Sequence, residues 1–349
     1  MEIINVAIVG YGLSGRVFHG TIIRSVEGFK ITKVVTTDLI KEKQAREDIK
    51  NVVVVHSIED VIHDPNIHLV VICTPNISHV KTAEAAIRNK KHVIVEKPFT
   101  VTSAEAEHLM KLAQDYGVIL SVYHNRRFDG DYKTVLKIID SGTLGRLVEL
   151  ESHFDRFKNE LKEEAWREKD LPGSGVLYDL GSHLIDQVVH KFGMPIEVYS
   201  DMATQRSGKV DDQFEVILYY KDLKVTLKSG SLVKEPLPRF ILHGTNGSFV
   251  KFGLDVQEDA LKAGHLPTDE FQDRIWGSEP EFLWGKLNTI NEYKKIETLR
   301  GDYRTYYRNI YGAIQFGEPL LVEPKDGLNV IKVIEAAKES NRLKKRIEI

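Results

Sequence analysis

The chain has 349 residues, 42% of them apolar and 28% charged, with a net charge of −3. That length exceeds one ordinary core and predicts two domains, and the charge gives no electrostatic reason to bind nucleic acid or an anionic membrane. Cys73 is the only cysteine, which excludes an internal disulfide and a cysteine-based zinc site and suits a reducing, cytoplasmic compartment.

No apolar run approaches the ~20 residues that a membrane-spanning helix needs. The first ten residues, MEIINVAIVG, lack the basic start and small-residue cleavage site of a signal peptide and read as a strand. In chain order, strands are predicted over 3–9, 30–35, 52–55, 68–73, 92–95 and 118–123. Helices are predicted between them, over 14–25, 40–48, 58–62, 78–90 and 103–116. The strands are short, continuous and rich in Val and Ile, as in a parallel sheet covered on both faces. This alternation predicts a doubly wound α/β domain over residues 1–123.

The pattern then changes, and residues 124–349 read as a second, α+β domain. Helices are predicted over 132–141, 179–192, 303–316 and 325–345. Strands are predicted over 147–157, 197–204, 214–220, 224–232 and 240–244. Phe214, Val216, Leu218 and Tyr220 alternate with Glu215, Ile217 and Tyr219. That predicts a mostly antiparallel open sheet with helices on one face and a wetter or partner-facing side. Such a sheet suggests a homo-oligomer, dimer or tetramer, built face to face. Residues 254–300, polar but carrying Trp276 and Trp284, give no clear assignment.

GYGLSG, residues 10–15, follows the first strand and opens the first helix, the context in which this pattern binds a dinucleotide. Gly10 permits a tight turn, Gly12 lets backbone approach a pyrophosphate, and Gly15 lets helix pack on strand. Leu13 and Ser14 complete the loop at the helix N-terminus, which would face the phosphates. The ribose selector belongs at the end of the second strand, where the chain reads Thr36-Thr37-Asp38. Small hydroxyl residues leave room for a 2′-phosphate, which Lys41 or Lys43 could approach, and we read this as favouring NADP over NAD. Asp38 could equally bend back to a ribose.

The fifth strand ends in Glu96-Lys97-Pro98. Ligands of doubly wound sheets bind beyond the carboxyl ends of the strands, so Lys97 is expected to point toward the cofactor. From position alone, a solvated lysine paired with an acid is the other reading. Thr74-Pro75-Asn76 ends the fourth strand beside it. Farther on, YDLGSHLIDQ places Asp179 and His183 four apart, on one helical face. Histidine is the natural proton acceptor near neutral pH; a buried histidine satisfied by Asp179 is the alternative. Asp179, His183, Asp186 and His190 could be read as metal ligands, but without HExxH or a second ligand cluster no metal is expected.

GYGLSG at 10–15, EKP at 96–98 and D-x-G-x-H at 179–183, at these separations, resemble the glucose–fructose oxidoreductase/inositol dehydrogenase family, Gfo/Idh/MocA. The resemblance covers essentially the whole chain, a Rossmann domain followed by an open-sheet domain. TPNISHVKTAEAA, EKPFTVT, HNRRFDGDY, ESHFDRF and PGSGVLYDLGSHLIDQ are similar to the branch that includes scyllo-inositol 2-dehydrogenases. What the resemblance implies is hydride transfer between a cyclic polyol or sugar hydroxyl and the nicotinamide of NAD or NADP. It implies that Lys97 reaches the substrate hydroxyl, that Asp179 orients substrate or His183, and that His183 takes the hydroxyl proton. It implies a cis bond before Pro98. It also places Glu96, Asn76, His79, Trp166 and Arg167 near the cofactor, and Arg127, His153, Asp155, Arg156 and Tyr178 near the substrate, with plain packing or surface ion pairs as the alternative for each. Tyr303, Tyr306 and Tyr307 are expected to pack. Two rival functions are an aldose or aromatic-diol oxidoreductase in the same fold and a non-catalytic dinucleotide sensor, which would need only residues 10–15.

Overall fold

The computed structural model describes residues 2–161, 165–268 and 275–349; within the unassigned 254–300 stretch, 269–274 lie outside the described residues. The chain forms two compact units. One comprises Met1–Asn125, Gln257–Trp276 and Asp302–Leu328; the other comprises Arg126–Val256, Gly277–Gly301 and Asn329–Ile349.

The first unit is built on six parallel strands: β1 (Ile4–Val9), β2 (Phe29–Val35), β3 (Val53–Val55), β4 (Leu69–Ile72), β5 (His92–Val95) and β6 (Leu120–Val122). Their order is β3-β2-β1-β4-β5-β6, the doubly wound order that reverses between β1 and β4. Val70, Val71, Ile72, Val93, Ile94 and Val95 are wholly buried, which is why these strands read as unbroken apolar runs. Helix Ser103–Tyr116 is opened by a capping box between Thr102 and Glu105 and stopped at Gly117, whose φ is +64°. The helix expected over 14–25 forms differently: its first part, Ser14–Gly20, is π-helical, and α geometry resumes over Thr21–Arg24.

The second unit is a nine-stranded mixed sheet: β7 (Leu147–His153), β8 (Glu197–Ala203), β9 (Gln213–Tyr219), β10 (Lys224–Gly230), β11 (Phe240–Gly244), β12 (Gly247–Lys251), β13 (Gly285–Thr289), β14 (Tyr293–Ile296) and β15 (Ile347–Glu348). Only the β7–β10 pairing is parallel; every other pairing is antiparallel. Phe214, Val216 and Leu218 are fully buried against Leu184, Ile185 and Val188 of helix Ser182–Phe192 and Ile331 and Ile334 of helix Pro324–Leu343. Each such side chain contributes roughly 1.5–3 kcal/mol by leaving water. Among the described residues, no helix is long and apolar enough to cross a membrane.

Candidate active site

In the first unit, GYGLSG leaves β1 at the point where the strand order reverses, the crevice in which such sheets bind ligands. Gly10 has φ +92°, and a Cβ there would stand 2.9 Å from the Cys73 carbonyl oxygen at the end of β4. A Cβ on Gly15 would meet the Gly10 carbonyl oxygen at 2.1 Å. Gly12 differs, with nothing within 4 Å of its Cβ position. The next residue, Leu13, is exposed. This flank of bare backbone at a helix start fits a dinucleotide pyrophosphate.

Beyond β2, Thr36 is buried, and its hydroxyl accepts the Asp38 N–H at 3.2 Å. Thr37 is exposed. Asp38 caps helix Leu39–Asp48, accepting from the amides of Ile40 at 2.9 Å and Lys41 at 3.2 Å, and pairs with Lys41 Nζ at 3.0 Å. The Lys41 side chain foremost, then these amides, hold its carboxyl below the usual range. The carboxylate is therefore committed to its own helix.

At the end of β5, Glu96 is the centre of a buried network. Its Oε1 accepts from the Ser14 hydroxyl and lies 3.1 Å from His19 Nε2; its Oε2 accepts the Lys97 N–H at 2.8 Å. Burial pushes the Glu96 carboxyl up, but the hydrogen bond and charge of His19, the charge of Lys97 and the Ser14 hydroxyl outweigh it and hold it down at about 2. His19 Nδ1 in turn meets the hydroxyl of Tyr307. Lys97 is half-buried, and its bond to Pro98 is cis. Thr74 and Pro75 lead from β4 to the buried Asn76. His79 is wholly buried, its ring 2.9 Å from the Thr74 carbonyl oxygen and 3.1 Å from that of Pro98, so it ties the β4 and β5 loops together. Burial holds its imidazole below the usual pKa.

In the second unit, the segment carrying Asp179 and His183 begins as a π-helical turn, Leu177–Gly181, and continues as α-helix Ser182–Phe192. Asp211 receives the Leu177 N–H on its carboxylate at 2.7 Å and the Val176 N–H on its carbonyl at 2.9 Å. Gly175, φ +93°, is needed there, because a Cβ would strike Asp211 Oδ1 at 2.0 Å. Asp179 lies 3.2 Å from Arg167 Nε and 3.7 Å from Arg156 Nη1. His183 is buried with its ring stacked on Phe154. The guanidinium groups of Arg126, Arg156 and Arg239 lie 4.8, 5.2 and 5.6 Å from the same Phe154 ring. Arg167 also covers the Trp166 ring at 4.7 Å.

Other candidates of this unit have partners of their own. His153 lies between Glu151 at 3.1 Å and Asp155 at 3.4 Å, and Asp155 also receives the Gly230 N–H. Arg127 forms a buried bidentate pair with Asp186, at 2.6 and 2.9 Å. Tyr178 is buried beneath Lys338. His190 Nδ1 bonds the Tyr132 hydroxyl at 2.7 Å. Among the described residues, no group of three or more His, Cys, Asp or Glu could hold a metal ion.

The oxidoreductase-family model for the NAD-binding Rossmann fold of Gfo/Idh/MocA proteins matches residues 4–124, and that for the C-terminal α/β domain matches 137–349. The chain belongs to the Gfo/Idh/MocA oxidoreductase family. It is 42% identical to scyllo-inositol 2-dehydrogenase (NADP(+)) IolW of Bacillus subtilis, over 99% of this chain and 96% of that one. It is 38% identical to the uncharacterized oxidoreductase YdgJ of Escherichia coli, over 97% and 96% of the two chains. The solved structure of the oxidoreductase YvaA of Bacillus subtilis superposes with a TM-score of 0.94 at 41% identity, covering 100% of this chain and 99% of that one. As a Gfo/Idh/MocA protein, the chain is an oxidoreductase whose Rossmann unit takes a nicotinamide cofactor.

The structure adds residues that sequence reasoning passed over. His19 and Tyr307 join the Glu96 network, Asp211 caps the turn that carries Asp179, and Phe154 stacks on His183 with Arg239 beside the same Phe154 ring. For His19 the available signal was its spacing, five residues beyond Ser14, but that matters only once the turn is known to be π-helical. Tyr303, Tyr306 and Tyr307 are buried as expected, and Tyr307 bonds His19 as well.

Proposed function

We propose that the protein is an NADP-dependent dehydrogenase that acts on a CH–OH group of a cyclic polyol or sugar of the scyllo-inositol type. The observation that carries this reading is the lysine turn: Lys97 leaves the carboxyl end of β5, and Glu96 beside it bonds Ser14 of the phosphate loop. The full-length likeness to IolW, whose name specifies scyllo-inositol and NADP, supports the substrate class. The commitment of Asp38 to its helix cap, beside the small Thr36 and the cationic Lys41, supports NADP.

The nicotinamide, when bound, accepts or returns the hydride. Gly10, Gly12, Leu13, Ser14 and Gly15 would hold the pyrophosphate, and Thr36, Thr37 and Asp38 would border the adenosine ribose. Thr74, Pro75, Asn76, His79 and Glu96 of the first unit would shape the nicotinamide side; to Trp166 and Arg167 of the second unit we assign a cofactor-binding role. In the first unit, we assign Lys97 the role of donating to the substrate hydroxyl, where an ammonium stabilises the negative charge that develops on oxygen. In the second unit, we assign His183 the role of taking the hydroxyl proton as the carbonyl forms, and of returning it in reduction. Asp179, held by Arg167 and Arg156, accepts from a neighbouring hydroxyl and orients the ring. Arg127, His153, Asp155 and Tyr178 would contribute further contacts or frame them.

Cys73, the sole cysteine, is in keeping with a cytoplasmic setting. Tyr199, Ile217, Thr226, Glu151, Ile241, Val250 and Lys286 form one row across the second sheet. Most are only partly buried, so this face suits a homo-oligomer, to be read by light scattering.

The test is a panel of inositols, aldoses and aromatic diols with NADP and with NAD, on wild type, Lys97→Met, Asp179→Asn and His183→Ala. Reduction of NADP by an inositol, abolished in Lys97→Met, is expected. Wild-type turnover in Lys97→Met would remove the lysine from the mechanism. Coenzyme binding without turnover on any compound would favour a sensor.

A further inference from the structure

We propose that His19 is a positioning residue for Lys97: backed by Tyr307, it fixes the carboxylate of Glu96 and thereby locks the lysine turn to the phosphate loop. The inference rests on the role proposed above for Lys97.

Three segments of the first unit meet in one network around the Glu96 carboxylate. Ser14 and His19 come from the π-helical Ser14–Gly20 turn, Glu96 from the end of β5, and Tyr307 from helix Arg304–Phe316. Ser14 and His19 are five residues apart, yet both reach Glu96 Oε1. In α geometry such residues lie on different faces. The i→i+5 bonding of a π turn brings them together, and π turns recur at functional positions.

The hydrogen-bond inventory fixes the direction of the links to the carboxylate. An ionised carboxylate only accepts, so His19 donates through Nε2. The other ring nitrogen, Nδ1, bonds the Tyr307 phenol, which burial keeps protonated. Tyr307, His19, Glu96 and the Lys97 N–H thus form one continuous hydrogen-bonded chain.

His19 is wholly buried, and its ring lies 4.1 Å from that of Tyr123, with Tyr306 and Phe29 packed around Tyr307. For stability alone, apolar packing would serve as well as a buried charged cluster. What the cluster adds is direction: it holds the backbone N–H of Lys97 to a carboxylate whose other oxygen is bonded to the cofactor loop.

The test compares His19→Leu, which deletes both links at similar volume, with His19→Gln, whose amide can still donate from the Nε2 position. His19→Leu should lower kcat about tenfold or more, as small misplacements of a catalytic group do. It should also change the rate at which an acylating reagent modifies the Lys97 amine, read by peptide mass spectrometry, while the exposed Lys43 reacts as before. His19→Gln should restore most of both. Tyr307→Phe, lacking one hydroxyl, should shift both readouts less and in the same direction, and it serves if His19→Leu fails to fold. Wild-type kcat and Lys97 acylation in a folded His19→Leu, with only a lower Tm, would overturn the proposal. If the wild type oxidises no polyol or sugar, or Lys97→Met turns over normally, the functional reading falls; Lys97 acylation and NADPH fluorescence titration still report on His19.

Discussion

The carboxylate of Asp179 stands between two arginines, 3.2 Å from Arg167 and 3.7 Å from Arg156. Arg167 is about half exposed, and exposed pairs of this kind contribute little to stability. Their effect lies in fixing which way the Asp179 oxygens face. Arg167→Ala should therefore leave the thermal midpoint almost unchanged and raise KM. Asp179→Asn should lower kcat by roughly 10–100-fold, the scale of a lost orienting contact. Steady-state kinetics beside thermal melts will separate the two. An equal loss of stability and activity in Arg167→Ala would mean that the pair is structural.

The Glu96 carboxyl is held at about 2, against an ordinary value of 4.5. Because the folded-state pKa is depressed, the unfolded chain binds the proton more readily, and stability rises with pH across this window. The contribution is full above about pH 4.5 and is lost as pH falls toward 2; a shift of this size corresponds to roughly 3 kcal/mol. Glu96→Gln should flatten the acid limb of stability, read as urea midpoints between neutral pH and pH 3. Superimposable acid limbs for variant and wild type would count against the network.

Coenzyme choice turns on the end of β2. Asp38 is spent on capping helix Leu39–Asp48 and on Lys41, so in the proposed cofactor site the small Thr36 would border the ribose. Thr36→Asp should lower kcat/KM for NADP at least ~10-fold, since a carboxylate there repels a 2′-phosphate and accepts from a free ribose. Lys41→Ala should weaken NADP more than NAD, and most clearly at low salt. A wild type that prefers NAD, with Lys41→Ala unchanged, would reverse the assignment.

The parts of this fold that could be read in advance are those whose burial writes a simple pattern. β4 and β5 are buried on both faces, so they appear as uninterrupted Val and Ile; β9 is buried on one face, so it alternates. β14 has neither signature, because Tyr293, Lys294 and Lys295 are all exposed at a sheet edge. β12 is short and begins with Gly247 and Ser248, so it blended into its hairpin turn. The two π-helical turns were invisible for another reason: side-chain periodicity does not report whether the backbone bonds at four or five residues. The site divides in the same way. Lys97, Asp179 and His183 announce themselves in short motifs, whereas His19 and Tyr307 are 288 residues apart and meet only through the fold.

The last two glycines of the phosphate loop make opposite predictions. Gly15 packs against the loop itself, with a prospective Cβ 2.1 Å from the Gly10 carbonyl oxygen. Gly15→Ala must move backbone, so it should lower the thermal midpoint of the coenzyme-free protein. Gly12 has no atom within 4 Å of that position. Gly12→Ala should leave the coenzyme-free protein as stable as the wild type, because the added methyl meets only solvent. In the complex, that methyl occupies the space through which the pyrophosphate approaches the backbone amides. A steric block there should weaken NADPH binding at least ~10-fold, equivalent to the loss of about 1.4 kcal/mol. Fluorescence titration of NADPH alongside melts without coenzyme measures both quantities. Unimpaired NADPH binding by Gly12→Ala would show that the phosphates do not rest on this stretch of backbone.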